Sequence, residues 1–285
     1  MFRRIKPLAN TLAPDLLQGR CASPNTAYMT TSDESLHQSG QPARGPSPAR
    51  LWAVSLAAAL VAGLAAWIIG EQSLHLFTPA REWRTGKVDA VSRLKPTVAT
   101  LRAADTKNAS LGFSILGASL GLALGGAGGL ARRSSRQALM AGLAGLVLGG
   151  ALVPAVTLAA LPLYYRVKDL DRSQDDLVLA LGTHVGIWSM IGIGGGMAFG
   201  FGLGGRRQLV SALCGGLVGA MLGTVVFEFL GAVAFPIDAY AAEPVSNTPG
   251  SRLAARLLVA IGTSCGAVVG ALTGRRPASN VPGRS

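Results

Sequence analysis

The sequence predicts an all-α integral membrane protein with six transmembrane helices, arranged as three tandem glycine-zipper helical hairpins. Three observations support this fold class. Of the 285 residues, 49% are hydrophobic and only 14% are charged, and the mean hydropathy is +0.41, a composition typical of membrane proteins. The charged residues concentrate outside six long apolar runs. Glycine recurs at every fourth position in three of those runs.

Six apolar runs each reach the roughly 20 residues that a helix needs to cross a hydrocarbon core of about 30 Å. Only two charged residues, Glu228 and Arg256, fall inside them. Taken in pairs, the runs predict hairpin repeats over 51–131, 138–205 and 209–274. In chain order, the runs are Leu51–Gly70, Leu111–Ala131, Ala138–Tyr165, Leu177–Gly205, Leu209–Phe235 and Leu253–Gly274.

The remaining segments are predicted to be tails and loops. Residues 1–50 are rich in Ser, Pro, Thr and Gly, so we expect a disordered cytoplasmic tail. Within this tail, "MTTSDES" at Met29 resembles an ordinary translation start, and we hypothesise that residues 1–28 are a gene-model extension. Residues 71–109 form a long outer loop in the first repeat, and residues 275–285 form a basic cytoplasmic tail.

The charges of the short connections predict the orientation in the membrane. Loops 132–137 and 206–208 carry arginines and no acid, whereas loops 166–176 and 236–252 carry more acids than bases. The positive-inside rule therefore places the first pair and both termini in the cytoplasm. Segment 71–109 opposes this assignment, since it lies outside and yet is basic. Without a recognisable sorting signal, the expected membrane is a bacterial inner membrane.

Glycines define the repeat of the even-numbered runs. Each of these runs holds four glycines spaced by four residues and then an arginine pair, a pattern that composition alone seldom produces. Helices in lipid associate through close backbone contact, so such a stripe predicts a tightly packed bundle. The stripes consist of Gly117, Gly121, Gly125 and Gly129; Gly192, Gly196, Gly200 and Gly204; and Gly262, Gly266, Gly270 and Gly274.

The odd-numbered runs share a second pattern. Each approaches a proline near its outer end and places Glu or Pro eight residues earlier, at Glu71, Pro154 and Glu228. Small residues recur by fours before that position. Pro154 and Pro162 are expected to kink or end the third helix. The two patterns together predict three hairpins, each formed by an odd-numbered and an even-numbered helix.

Motifs of soluble enzymes are not supported by their context. "GFGLGG" and "GTSCG" match a dinucleotide fingerprint and a nucleophile elbow, but both lie inside apolar runs without a preceding strand. A dyad of His184 and Ser264 would be offset by about 15 Å along the helices. Dispersed arginines without interleaved aromatics argue against nucleic-acid binding, and the three cysteines form no metal pattern. We therefore expect no enzyme, no cofactor and no metal site.

Glu228 is the strongest candidate for a functional residue, since ionisable side chains are costly inside a membrane. Three interpretations remain open. Glu228 pairs with Arg256 and ties the fifth helix to the sixth; or Glu228 and its repeat equivalent Glu71 face one interior and bind a proton or cation; or Glu228 is solvated near the outer surface.

Two functions follow from these observations. The leading hypothesis is a structural or interaction module that contacts the lipid bilayer and associates with itself or another membrane protein, because six zippered faces exceed what one bundle requires. The alternative is a proton- or cation-coupled permeation protein that uses Glu228.

Overall fold

The computed structural model describes residues 46–80, 96–170, 177–234 and 248–275. These residues contain six helices long and apolar enough to cross a membrane, which confirms the number predicted from the apolar runs. Residues 1–45 of the predicted N-terminal tail and 276–285 of the C-terminal tail lie outside the described residues. The helices are α1 (Pro48–Ser73), α2 (Val98–Ala131), α3 (Ser135–Leu170), α4 (Leu177–Leu203), α5 (Arg206–Ala234) and α6 (Pro249–Thr273).

Three helices begin at hydroxyl N-caps. Ser47, Thr97 and Thr248 precede α1, α2 and α6, and each side chain accepts a hydrogen bond from a backbone N–H of the first turn. Proline opens α1 and α6, where its missing N–H costs no helical hydrogen bond. The helix starts are thus set by local sequence.

Two helices extend furthest beyond their apolar runs. Helix α2 begins at Val98 rather than near Leu111, and α3 continues past Tyr165 to Leu170. Hydropathy marks only the apolar part of a helix, whereas backbone hydrogen bonding continues into polar residues that also favour helix. Pro154 and Pro162 were expected to kink or end the third helix, and the second alternative is wrong, because α3 runs through both.

The even-numbered helices occupy the centre of the bundle. Helix α4 packs against both α2 and α6, and α2 and α6 also touch. Each odd-numbered helix lies between two even-numbered ones: α1 between α6 and α2, α3 between α2 and α4, and α5 between α4 and α6. Helix–helix contact therefore falls mainly on the helices that carry the glycine stripes.

The two ends of the bundle differ in charge. At the arginine end, α1 begins, α6 ends and two short turns join α2 to α3 and α4 to α5. Its described charged residues are all basic: Arg50, Arg132, Arg133, Arg136, Arg206, Arg207 and Arg275. At the opposite end, which we call the ion-pair end, α1 ends and α6 begins. Acidic and basic side chains of neighbouring helices meet there.

Candidate functional site at the ion-pair end

Glu228 lies on the face of α5 that contacts α4. Its Oε1 is 2.6 Å from Nδ1 of His184, and the two side chains are 28% and 15% exposed. A carboxylate and an imidazole at this distance share one hydrogen bond. The pair is the only one at this end that includes a histidine among the ion pairs of the described residues.

Aromatic side chains cover the histidine. The His184 ring stacks on Trp188, with centroids 5.9 Å apart and planes inclined by 26°. Trp188 in turn packs against Phe227 of α5 and Phe113 of α2, at 5.6 and 6.2 Å. The Trp188 Nε1 is buried and has no hydrogen-bond partner among the described residues. The pair is thus shielded on one side by rings.

The α4–α5 contact explains why these residues meet. Along α4, positions 184, 188, 192, 196 and 200 follow one face at a spacing of four residues. Gly192 and Gly196 on this face lie against the backbone of Gly216 and Ala212 of α5. Continuing the glycine stripe toward the ion-pair end leads to Trp188 and then His184. Sequence reasoning missed His184 as the partner of Glu228, although this extrapolation could have found it.

The expected pair of Glu228 with Arg256 is wrong. Arg256 instead points toward α1, where its Nη1 donates to the carbonyl oxygens of Ala66 at 2.8 Å and Trp67 at 3.1 Å. The guanidinium rests against Gly70, where any side chain would collide with it. Helical spacing alone could not reveal this, because both residues fall at similar depth and only the bundle decides which neighbours they face.

Glu71 forms a two-pronged ion pair with a residue that the sequence analysis did not single out. Arg252 Nε donates to Oε1 at 2.7 Å, and its Nη2 donates to Oε2 at 2.6 Å. This parallel geometry is the strongest form of an arginine–carboxylate contact. It joins α1 to α6. Glu71 and Glu228 are therefore held by different basic residues on different helices, which weighs against one shared carboxylate site.

A third ion pair joins α2 to α3. Arg102 donates through Nη1 and Nη2 to the Asp169 carboxylate, at 2.6 and 2.8 Å. The Arg102 guanidinium carbon also lies 5.1 Å from the Tyr165 ring centroid. Each odd-numbered helix thus carries one carboxylate bound by an even-numbered neighbour at this end. The sequence analysis placed both residues in loops and did not foresee the pair.

A cavity of about 330 Å³ lies at the same end, between α2 and the segment that follows α1. Its lining includes Phe77, Thr100 and Lys107. The Asn108 amide fixes Phe77 beside it, accepting from the Phe77 N–H and donating to the Phe77 carbonyl, each at 3.0 Å. No residue of the three ion pairs lines this cavity, so it is separate from the candidate site.

The glycine stripes face neighbouring backbones within the chain. The α2 stripe lies against α3, where Gly121 and Gly145 oppose each other and a methyl group at either position would overlap the other's carbonyl. The α4 and α6 stripes both lie against α5. The α2 and α4 stripes thus face the next odd-numbered helix and not the one that precedes them in the predicted hairpins.

The final stripe glycines of α4 and α6 lie at the ends of their helices, whereas that of α2 lies inside its helix. Gly129 still packs, against the backbone of Ala138. Gly204 follows the end of α4 with a φ of +69°, in the left-handed region that glycine tolerates and that commonly ends helices. Gly274 caps α6. The stripe therefore combines helix contact with helix termination.

No metal cluster of three or more His, Cys, Asp or Glu side chains occurs in the part of the chain that the structure describes. In comparisons with protein-family models, curated proteins and solved structures, no match to the chain was found. Function must therefore be inferred from the site and the packing.

Proposed function

We propose that this chain is a structural or interaction module of the membrane, built from three glycine-zipper hairpin repeats. One observation carries the structural role: glycines bring the backbones of α2–α3, α4–α5 and α5–α6 into direct contact, the first two between successive repeats and the third within one. Such contacts replace the hydrophobic driving force that lipid cannot supply. They favour a rigid bundle over one that opens and closes.

The arrangement of the helices supports the repeat. Three striped helices at the centre and three helices between them are what three related hairpins would produce. The stripe of α6 departs from this pattern. It contacts the preceding helix, α5, whereas the stripes of α2 and α4 contact the helix that follows them in the chain. A strict threefold repeat would have placed the α6 stripe against α1.

The arginine end is proposed to be cytoplasmic, with both termini on that side of a bacterial inner membrane. All seven described charged residues at that end are basic, and basic residues near short loops are retained on the cytoplasmic side. The orientation follows from this charge difference.

Self-association is proposed to use α3. The glycine stripes already contact neighbouring helices of the same chain, so self-association cannot use them. Helix α3 has the least buried apolar segment, at 22%. Its outward side presents Ala151, Ala155 and Ala159, all exposed and spaced by four, a small-residue pattern that lets a second helix approach closely.

Cross-linking in membranes followed by blue-native electrophoresis tests this role. We expect the wild-type chain to form an oligomer, and Ala155→Leu to weaken it by separating the helices. Ala57→Leu is the matched control, because Ala57 is also exposed but lies on α1. The proposal is contradicted if the wild-type chain stays monomeric after cross-linking, or if both substitutions weaken the oligomer equally.

Permeation of protons or cations is a second candidate, favoured by the His184–Glu228 pair. An imidazole and a carboxylate in contact can pass a proton between them. Flux into liposomes would be compared for wild type, Glu228→Gln and Glu71→Gln. Flux lost only in Glu228→Gln would establish permeation and displace the structural role. No flux in wild type would exclude it.

A further inference from the structure

Arg256 forms no salt bridge with a carboxylate among the described residues. Two interactions are formed by its guanidinium, both from Nη1 to backbone carbonyls of α1. A guanidinium has five N–H donors. Those on Nε and Nη2 lack a hydrogen-bond partner in the described residues, and yet neither atom is sealed from the surroundings. Donors remain available for a ligand.

The nearest acid is already engaged. Glu71 accepts both of its short hydrogen bonds from Arg252, so it compensates that arginine first. Because an unpaired charge near a membrane is costly, basic residues there usually have a counter-charge. Arg256 therefore has no carboxylate of its own among the described residues.

The backbone around Arg256 leaves room for its head group. Gly70 of α1 meets the guanidinium directly, and Gly112 of α2 lies beside Nη2, where an added methyl group would be 3.7 Å away. Trp67 donates from Nε1 to the Pro249 carbonyl at 3.1 Å and fastens α6 to α1. Three helices thus hold the guanidinium at a defined position.

The depth of this position suits a headgroup. Arg256 lies seven residues beyond Pro249, the first residue of α6, which corresponds to about 10 Å along a helix. Long basic side chains at this depth reach toward the interface. An anion there can come from a lipid or from solution.

We propose that Arg256 binds a phosphate group at the junction of α1, α2 and α6. Guanidinium groups recognise phosphate through paired N–H donors. The phosphate belongs either to an anionic phospholipid headgroup or to a soluble phosphate. The site is independent of the proposed function, since it requires only the described contacts.

Thermal unfolding of delipidated protein in detergent tests the site. The midpoint would be measured with phosphatidylglycerol, with phosphatidylcholine and with inorganic phosphate, because a ligand of the folded state raises the midpoint. The variants are Arg256→Gln and the matched control Arg50→Gln. Arg50 also donates to a backbone carbonyl, that of Leu130, but at the arginine end.

We expect phosphatidylglycerol to raise the midpoint of wild type and Arg50→Gln by several degrees, and to leave Arg256→Gln nearly unchanged. A rise with phosphatidylglycerol alone identifies a lipid, and an equal rise with inorganic phosphate identifies a soluble source. No rise in wild type, or the same rise in Arg256→Gln, overturns the proposal.

A second variant covers the case in which Arg256→Gln does not fold. Arg256→Lys keeps the charge but loses the planar fork. We expect it to need several-fold more phosphatidylglycerol for half of the maximal rise than wild type and Arg50→Lys do. An unchanged half-saturation contradicts a guanidinium–phosphate contact.

Discussion

At the scale of single residues, glycines of the same helix have different roles. Gly121 opposes the backbone of Gly145, whereas Gly126, one and a half turns further along the same helix, has open space around it. Only the first is required for close contact. The second retains the unfavourable helix propensity of glycine without an evident packing benefit.

Substitution of these two glycines should therefore have opposite effects. We expect Gly121→Ala to lower stability by about 1–3 kcal/mol, because the added methyl group separates α2 from α3. Gly126→Ala should be neutral or stabilising by up to about 1 kcal/mol, through helix propensity. Thermal unfolding in detergent measures both. If both variants lost the same stability, close packing at Gly121 would not explain the loss.

The buried and exposed ion pairs should also differ. The side chains of Arg252 and Glu71 are 11% and 24% exposed, whereas Asp169 is 58% exposed. Loss of one partner leaves a poorly hydrated charge only in the first case, and exposed pairs contribute little. We therefore expect Glu71→Gln to lower the unfolding midpoint more than Asp169→Asn.

A salt titration checks this interpretation. Ions screen exposed pairs more strongly than sheltered ones, so added salt should reduce the effect of Asp169→Asn first. If Asp169→Asn lowered the unfolding midpoint more than Glu71→Gln does, the sheltered pair would not be the more important one for stability.

At the scale of elements, helix α4 has three separate roles. Its two faces contact different helices, and its end is fixed by a neighbouring arginine. One face carries the glycines that meet α5 and, further along, His184. The other meets α2, where Gly202 lies against Gly125 and Gly128. The helix then ends at Leu203, and Arg132 Nη1 donates to the Leu203 carbonyl at 2.7 Å.

The end of α4 depends on glycine at one position only. Gly204 has a φ of +69°, whereas its neighbour Gly205 is not in the left-handed region. We expect Gly204→Ala to lower stability by about 1–2 kcal/mol and Gly205→Ala to have a smaller effect. Thermal unfolding of both variants measures this difference. Equal stability of the two would contradict a left-handed requirement.

At the scale of the whole molecule, the charge difference between the two ends predicts orientation. Gln72 at the ion-pair end and Ser135 at the arginine end are both exposed. In a background lacking Cys21, Cys214 and Cys265, we expect a membrane-impermeant thiol reagent to label Gln72→Cys in intact cells. Ser135→Cys should react only after permeabilisation. The reverse pattern would invert the proposed topology.

The six helices could be predicted from sequence because their signals are local. Apolar length and a glycine spacing of four residues each depend on a few neighbouring positions. The number of helices was confirmed on this basis. The boundaries near Val98 and Leu170 were not, since polar residues continue a helix without any hydropathy signal.

The sequence by itself determined which face of each helix is small and which residues carry charge within the apolar runs. Only the tertiary structure decided what those faces and charges meet: α3 for the α2 stripe, His184 for Glu228, and the α1 backbone for Arg256. The physical reason is that helical periodicity fixes a direction around one axis. Which neighbour stands in that direction depends on how all six helices pack together.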